Sequence, residues 1–184
     1  MHKAIISLLV LFVIVQTILA AGDHGLTSGT YRIWRGSYRL PSHTHRFFTA
    51  RPDKRDGVVV LAKAANSTDQ LWKVKVRSNG QITIESKAAK GKKNRYLSTG
   101  REGNNNHALV RLGSSQRFTV TRKFGGPFLS FEMAHPKKTS AGHITVVSGS
   151  NSTDPKGNEY IAYINQNTEG YVQSFKFSML RENP

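Results

Sequence analysis

Gln70, Trp72 and Val74 in DQLWKV return as Gln116, Phe118 and Val120 in SQRFTV, and again as Gln173, Phe175 and Phe177 in QSFKF. Successive glutamines lie 46 and 57 residues apart. A recurring phrase at near-regular intervals restricts the chain to architectures assembled from like units, each completing the core of its neighbours. Every copy places an aromatic residue two positions before an apolar one, the period of a strand with one buried face. In the first copy Trp72, Val74 and Val76 alternate with Lys73, Lys75 and Arg77, so one face goes to a core and the other is cationic.

Turn signals punctuate the rest of the chain: Arg55-Asp56-Gly57, Ser78-Asn79-Gly80, Gly103-Asn104-Asn105, Gly125-Gly126-Pro127 and Asp154-Pro155-Lys156-Gly157. Many short apolar runs between such signals predict an all-β architecture, and no stretch beyond the N-terminus has a convincing helical period. The chain has no cysteine, so its stability has to come from a hydrophobic core. A domain of about 160 residues buries about 70% of the surface its unfolded chain would expose, which makes such a core feasible. Tyr31, Ile33, Val58, Val60, Trp72, Val74, Ile82, Ile84, Leu97, Val110, Leu112, Phe118, Val120, Leu129, Ile144, Val146, Ile161, Ile164, Phe175 and Phe177 are the expected contributors.

A Gln-x-Trp phrase closing each of three similar segments resembles the ricin B-type β-trefoil family, frequent among fungal secreted lectins and related inhibitors. The first segment, DGVVVLAKAANSTDQLW, carries an Asp-Gly turn, an apolar strand, a polar loop and the closing phrase, and SGTYRIW is similar to the family's first strand. The second and third copies depart from the pattern by having Phe118 and Phe175 in place of Trp. The resemblance implies a β-trefoil with three pseudo-repeats, at 29–77, 78–123 and 124–181, within a single domain spanning 22–184. Gln70, Trp72, Gln116, Phe118, Gln173 and Phe175 are then structural residues of the repeats.

The N-terminus is read separately. His2 and Lys3 precede an apolar run from Ala4 to Val15, and small residues follow at Ala20 and Ala21. This is the layout of a cleaved secretory signal peptide over 1–21. The run is shorter than the roughly 20 apolar residues that span a bilayer, and no second such segment follows, so no membrane span is expected after cleavage. In a secreted chain Asn66-Ser67-Thr68 and Asn151-Ser152-Thr153 qualify as N-glycosylation acceptors at Asn66 and Asn151, both in expected loops.

Charge is the second strong signal. The chain has 27 Lys and Arg against 11 Asp and Glu, a formal net of +16. Charge of this size draws anionic partners to the surface and accelerates encounter. The densest run is Lys87, Lys90, Lys92, Lys93 and Arg95, between the Ile82/Ile84 and Tyr96/Leu97 strands. These five residues are the candidate site for an anionic or sulfated glycan. With no nucleic-acid module recognisable, no dedicated nucleic-acid binding is expected.

The resemblance also implies where a sugar would bind. In sugar-binding members an early Asp in each repeat accepts hydrogen bonds from sugar hydroxyls. The corresponding positions here fall near Thr49, Ser98, and Ser130 or Phe131. None is acidic, so the usual galactose-type site lacks its charged acceptor. An anionic glycan is therefore favoured over a neutral one. A protease inhibitor is the alternative, with candidate loops at 40–46, 51–55 and 134–139, and a secreted interaction or effector protein on a trefoil scaffold is a third reading. Catalysis has no support: there is no Cys nucleophile, no Gly-x-Ser-x-Gly elbow, no phosphate loop and no His-Glu-x-x-His. His43 and His45 flank Thr44 without an acidic or Cys partner nearby, so neither a metal site nor any cofactor is expected.

Overall fold

The computed structural model describes residues 25–35, 45–52, 57–99, 107–124, 129–134, 143–146, 157–164 and 174–180. Residues 1–21, the expected signal segment, lie outside them together with Asn151, Gln173 and most residues of the three candidate inhibitor loops. Twelve strands are present among the described residues: β1 (Gly29–Arg35), β2 (Arg46–Ala50), β3 (Val59–Lys63), β4 (Trp72–Val76), β5 (Ile82–Ser86), β6 (Tyr96–Thr99), β7 (His107–Gly113), β8 (Thr119–Phe124), β9 (Leu129–Ala134), β10 (His143–Val146), β11 (Glu159–Ile164) and β12 (Ser174–Met179). No α-helix occurs among them. A 3-10 turn at Thr68–Gln70, capped by Ser67, leads into β4.

The pairings resolve into a barrel and a cap. β1 pairs with β4 and β12, β4 with β5, β9 with β8 and β12, all antiparallel. The remaining gap between β5 and β8 is bridged at Ile82 and Phe118, whose backbone groups exchange two hydrogen bonds of 2.9 Å. Six strands thereby close a ring, which leaves no edge on the barrel. The other six form the hairpins β2–β3, β6–β7 and β10–β11. β11 pairs with both β3 and β7. The third contact is Val58 with Arg111, where Leu112 N donates to Gly57 O at 2.7 Å. A six-stranded barrel capped by three mutually paired hairpins is threefold, as the recurring phrase requires.

Gly57 has a left-handed φ of 55°, and a Cβ placed there would stand 3.2 Å from Leu112 Cβ. The close passage of two hairpins at this corner therefore depends on glycine.

The aromatics of the three phrases, Trp72, Phe118 and Phe175, are all fully buried in one core with Ile33, Ile82, Ile84 and Met133. Phe48 from β2 enters the same core, edge-on to Phe175 at 4.8 Å between centroids and to Trp72 at 6.5 Å. Its carbonyl accepts the Trp72 Nε1–H at 2.9 Å. In β4 the expected alternation holds: Trp72 and Val74 are buried, Val76 packs against the core, and Lys73 and Lys75 are exposed.

β3 differs from the expectation. Val59 and Leu61, not Val58 and Val60, join the core cluster; Val58 is half-buried, and Val60 is buried outside that cluster. The run Val58-Val59-Val60-Leu61 has no polar alternation from which to set a register. Val59 through Ala62 are all buried, so both faces of β3 are covered.

Candidate functional site

Two glutamines of the closing phrases, Gln70 and Gln116, are tied into the scaffold. Gln70 is almost completely buried, and its side-chain amide is bonded on both its oxygen and its nitrogen. Its Nε2 donates to Lys63 O at 2.7 Å and to Thr49 Oγ1 at 3.1 Å, and its Oε1 accepts from Ala65 N at 2.9 Å. One amide thus joins the end of β2, the end of β3 and the loop between β3 and the 3-10 turn. Gln116 is likewise bonded in the second repeat, to the end of β6. Its Oε1 accepts from Thr99 N at 2.8 Å and Ser98 Oγ at 2.9 Å, and its Nε2 donates to Thr99 Oγ1 at 3.0 Å. The threonine hydroxyl shared by both repeats makes Thr99, rather than Ser98, the counterpart of Thr49.

Beside Gln70 the surface opens into a polar cleft of about 370 Å³. Its lining comes from the β2–β3 hairpin (Arg46, Thr49, Arg51, Ala62, Lys63), from the following loop and turn (Ala64, Ala65, Ser67, Asp69, Gln70), and from Gly157 and Asn158 of the third repeat. Asn66 is exposed between two lining residues. Ser67 Oγ accepts from Asp69 N at 3.2 Å, which fixes the turn and with it the backbone that carries Asp69.

The electrostatics of this cleft follow from strand register. Arg46 stands directly opposite Lys63 on β3 and directly opposite Arg35 on β1. Like charges facing each other across strands are destabilising. Arg35 is offset by Glu159, with Nη1 and Oε1 2.8 Å apart. Around Arg46, Lys63 and Arg51, Asp69 is the one carboxylate among the described lining residues. The cleft can therefore accept an anion with several charge-assisted bonds while offering Asp69 and Asn158 to hydroxyls.

The 87–95 loop is a second cationic region. Its base is closed by Ser86 N donating to Arg95 O at 2.8 Å, and Lys87 N bonds Leu71 O at 3.0 Å. Ala89 is fully buried and anchors the loop's middle to the core. Lys87, Lys90, Lys92 and Lys93 are exposed. Arg95 is engaged differently. Its Nε lies 2.7 Å from Glu85 Oε1, an ion-pair contact without the alignment of a hydrogen bond. Its guanidinium centre sits 5.2 Å from the centroid of the Tyr96 ring. The Tyr96 hydroxyl and then Glu85 hold this guanidinium more firmly in its charged form. Arg95 therefore braces the loop, and the exposed ammonium groups are left to meet solvent or ligand.

His45 stacks on Trp34, ring centroids 4.2 Å apart, and the Trp34 indole donates to Ser178 Oγ at 2.8 Å. Lys176, buried in β12, places its ammonium 5.1 Å from the centroid of the same indole ring, and burial lowers its pKa. His43, the other half of the two-histidine pattern, lies outside the described residues.

Arg46 and Arg51 fall within the candidate inhibitor loops 40–46 and 51–55, while Lys63, Asp69 and Asn158 have no local sequence signal. Their grouping depends on the Arg46–Lys63 register and on a loop from another repeat, so no motif spacing could have exposed it.

No family model matches the chain, and no curated protein matches it. Among solved structures the chain is similar to the crystal structure of the designed 3-fold symmetric protein ThreeFoil, with a TM-score of 0.57 over 83% of this chain and 99% of that one, at 12% identity. The fold is a β-trefoil. At that identity the likeness extends to the backbone arrangement alone.

Proposed function

We propose that this protein is a secreted carbohydrate-binding protein of the ricin B-like type, acting by binding rather than catalysis and favouring anionic glycans. The observation that carries the reading is the cleft of the first repeat, in which Arg46, Arg51 and Lys63 surround a space flanked by Asp69 and Asn158. A β-trefoil is compatible with lectin and inhibitor roles alike, and the cleft's chemistry favours the first. A neutral galactoside finds poor purchase, because Thr49 stands near the position of the family's acidic acceptor and its hydroxyl is already bonded to Gln70. A sulfated or carboxylated sugar brings negative charge to the cations of Arg46, Arg51 and Lys63. The signal-peptide layout of 1–21 supports a secreted setting, and the three closing phrases support the ricin B-type reading.

The test is a glycan array probed with the processed protein at low and physiological salt, with sulfated, carboxylated and neutral glycans side by side. Selective retention of sulfated or carboxylated glycans at physiological salt is expected. Binding that vanishes with salt for every glycan would reduce the interaction to bulk charge. A protease inhibition panel would then take up the alternative.

A further inference from the structure

The two cationic regions are neighbours in space. Lys92 reaches across from the 87–95 loop and donates its Nζ–H to Pro52 O at 3.1 Å. Pro52 directly follows Arg51, which lines the cleft. The loop of the second repeat is thereby fastened to the turn at the end of β2, at the cleft's Arg51 end. One hydrogen bond uses one of the three Lys92 donors, and the side chain stays exposed. Arg46 and Arg51 are themselves five residues apart, about 17 Å of extended chain. Cationic groups thus run from the Arg46–Lys63 pair past Arg51 to Lys92 and its neighbour Lys93. That span exceeds what one sugar ring can touch.

Given the glycan reading above, we infer that the cleft and the 87–95 loop are two ends of a single track for a linear anionic glycan, so that chain length, not only the terminal sugar, sets affinity. A flat cationic surface would also attract nucleic acid. Among the described side chains, however, no aromatic ring is exposed, and single-stranded nucleic acid binding relies on stacking as well as charge. The lining carboxylate of Asp69 also suits a polymer bearing both hydroxyls and anions better than a phosphodiester backbone, whose contacts are overwhelmingly with cations and neutral donors.

The experiment is calorimetric titration of the full secreted protein with size-defined sulfated uronic-acid oligosaccharides, from disaccharide to decasaccharide. Wild type is compared with Lys63→Ser at the cleft end and with a Lys90→Ser/Lys93→Ser double variant at the loop end, all three being exposed residues that leave the core untouched. Affinity is expected to climb with length and then level off. Lys63→Ser lowers affinity roughly tenfold for short and long chains alike, about the worth of one charge-assisted hydrogen bond. The loop variant lowers it roughly tenfold for long chains only. Equal affinity for disaccharide and decasaccharide overturns the track while leaving the cleft a glycan site. A loop effect on the disaccharide as large as on the decasaccharide overturns it too. Displacement of the decasaccharide by an oligothymidylate of equal charge, at equal concentration, overturns the assignment to glycan. Failure of every oligosaccharide to bind removes the proposed function itself, a result distinct from length-independent binding.

Discussion

Replacing Gln70 by Ala removes three hydrogen bonds at once: to Lys63 O, to Thr49 Oγ1 and from Ala65 N. At about 1 kcal/mol net for each bond, the direct loss is about 3 kcal/mol. Lys63 and Ala65 are exposed residues, so water can re-engage their backbone groups; Thr49 is only 4% exposed, and its hydroxyl would be left with Phe47 O alone. The expected destabilisation is therefore about 3–4 kcal/mol, or a fall in Tm of about 10 °C for a domain of this size. The control is Gln116→Ala. Gln116 is half-buried, solvent can replace more of what it loses, and about 1 kcal/mol is expected. Gln70→Glu sharpens the test. A carboxylate keeps the bond from Ala65 N, loses both donors and sets an oxygen against Lys63 O in a buried position. Burial raises its pKa above the unfolded value near 4.3. A group with a raised folded pKa is stabilising below its unfolded pKa and loses that contribution as pH rises through the folded value, so Gln70→Glu should be weakest at pH 7 and recover toward pH 5. Urea denaturation at both pH values reads all three variants. If Gln70→Ala melts within about 2 °C of wild type and instead abolishes glycan retention, the amide serves the ligand and the structural account of the repeat glutamine is wrong.

Three further outcomes are expected. Gly57→Ala imposes a left-handed φ on a residue with a Cβ and presses it toward Leu112, so it costs about 1–2 kcal/mol from the backbone alone and more than Gly91→Ala, which has φ 81° but open space around the position; thermal melts of the two variants decide this. Lys176→Met removes an ammonium whose burial lowers its pKa from 10.5; because the unfolded chain binds the extra proton between the two pKa values, wild-type stability rises with pH across that alkaline interval, and the urea midpoints of wild type and Lys176→Met should converge there, whereas parallel midpoints would refute it. Asn66→Gln changes an exposed residue and should shift Tm by no more than about 2 °C, while the intact mass of protein secreted by eukaryotic cells falls by one N-linked glycan; an unchanged mass would show that the sequon at the cleft's rim is bare.

Much of the architecture was legible because local patterns have local causes. The alternation of Trp72 and Val74 with Lys73 and Lys75 could suit only a strand with one covered face, and that is how β4 sits in the barrel. Asn79-Gly80 read as a turn, and there Gly80 has φ 75° while Asn79 Oδ1 accepts from Gln81 N at 3.1 Å. Where local pattern was uninformative, reading failed. Four consecutive apolar residues could not set the register of β3, and Phe48, adjacent to another Phe, gave no sign that its carbonyl would receive the Trp72 indole. Loops of unequal length separate the repeats, so alignment on the closing phrase locates the counterpart of Thr49 only to the neighbourhood of Ser98, and the shared Gln-to-Thr bond is what singles out Thr99.

The sequence by itself determined that three like units would form an all-β core without disulfides, because side-chain periodicity and turn chemistry act over a few residues and need no knowledge of the rest of the chain. It also determined the excess of positive charge, a sum indifferent to fold. Only the tertiary structure decided where that charge collects. The opposition of Arg46 to Lys63 comes from hairpin register, the entry of Gly157 and Asn158 into the cleft from the meeting of two repeats, and the placement of Lys92 beside Arg51 from a single bond to Pro52 across 40 residues of chain. Electrostatic energy depends on distance in space rather than separation in sequence, so the candidate site exists only once the barrel has closed.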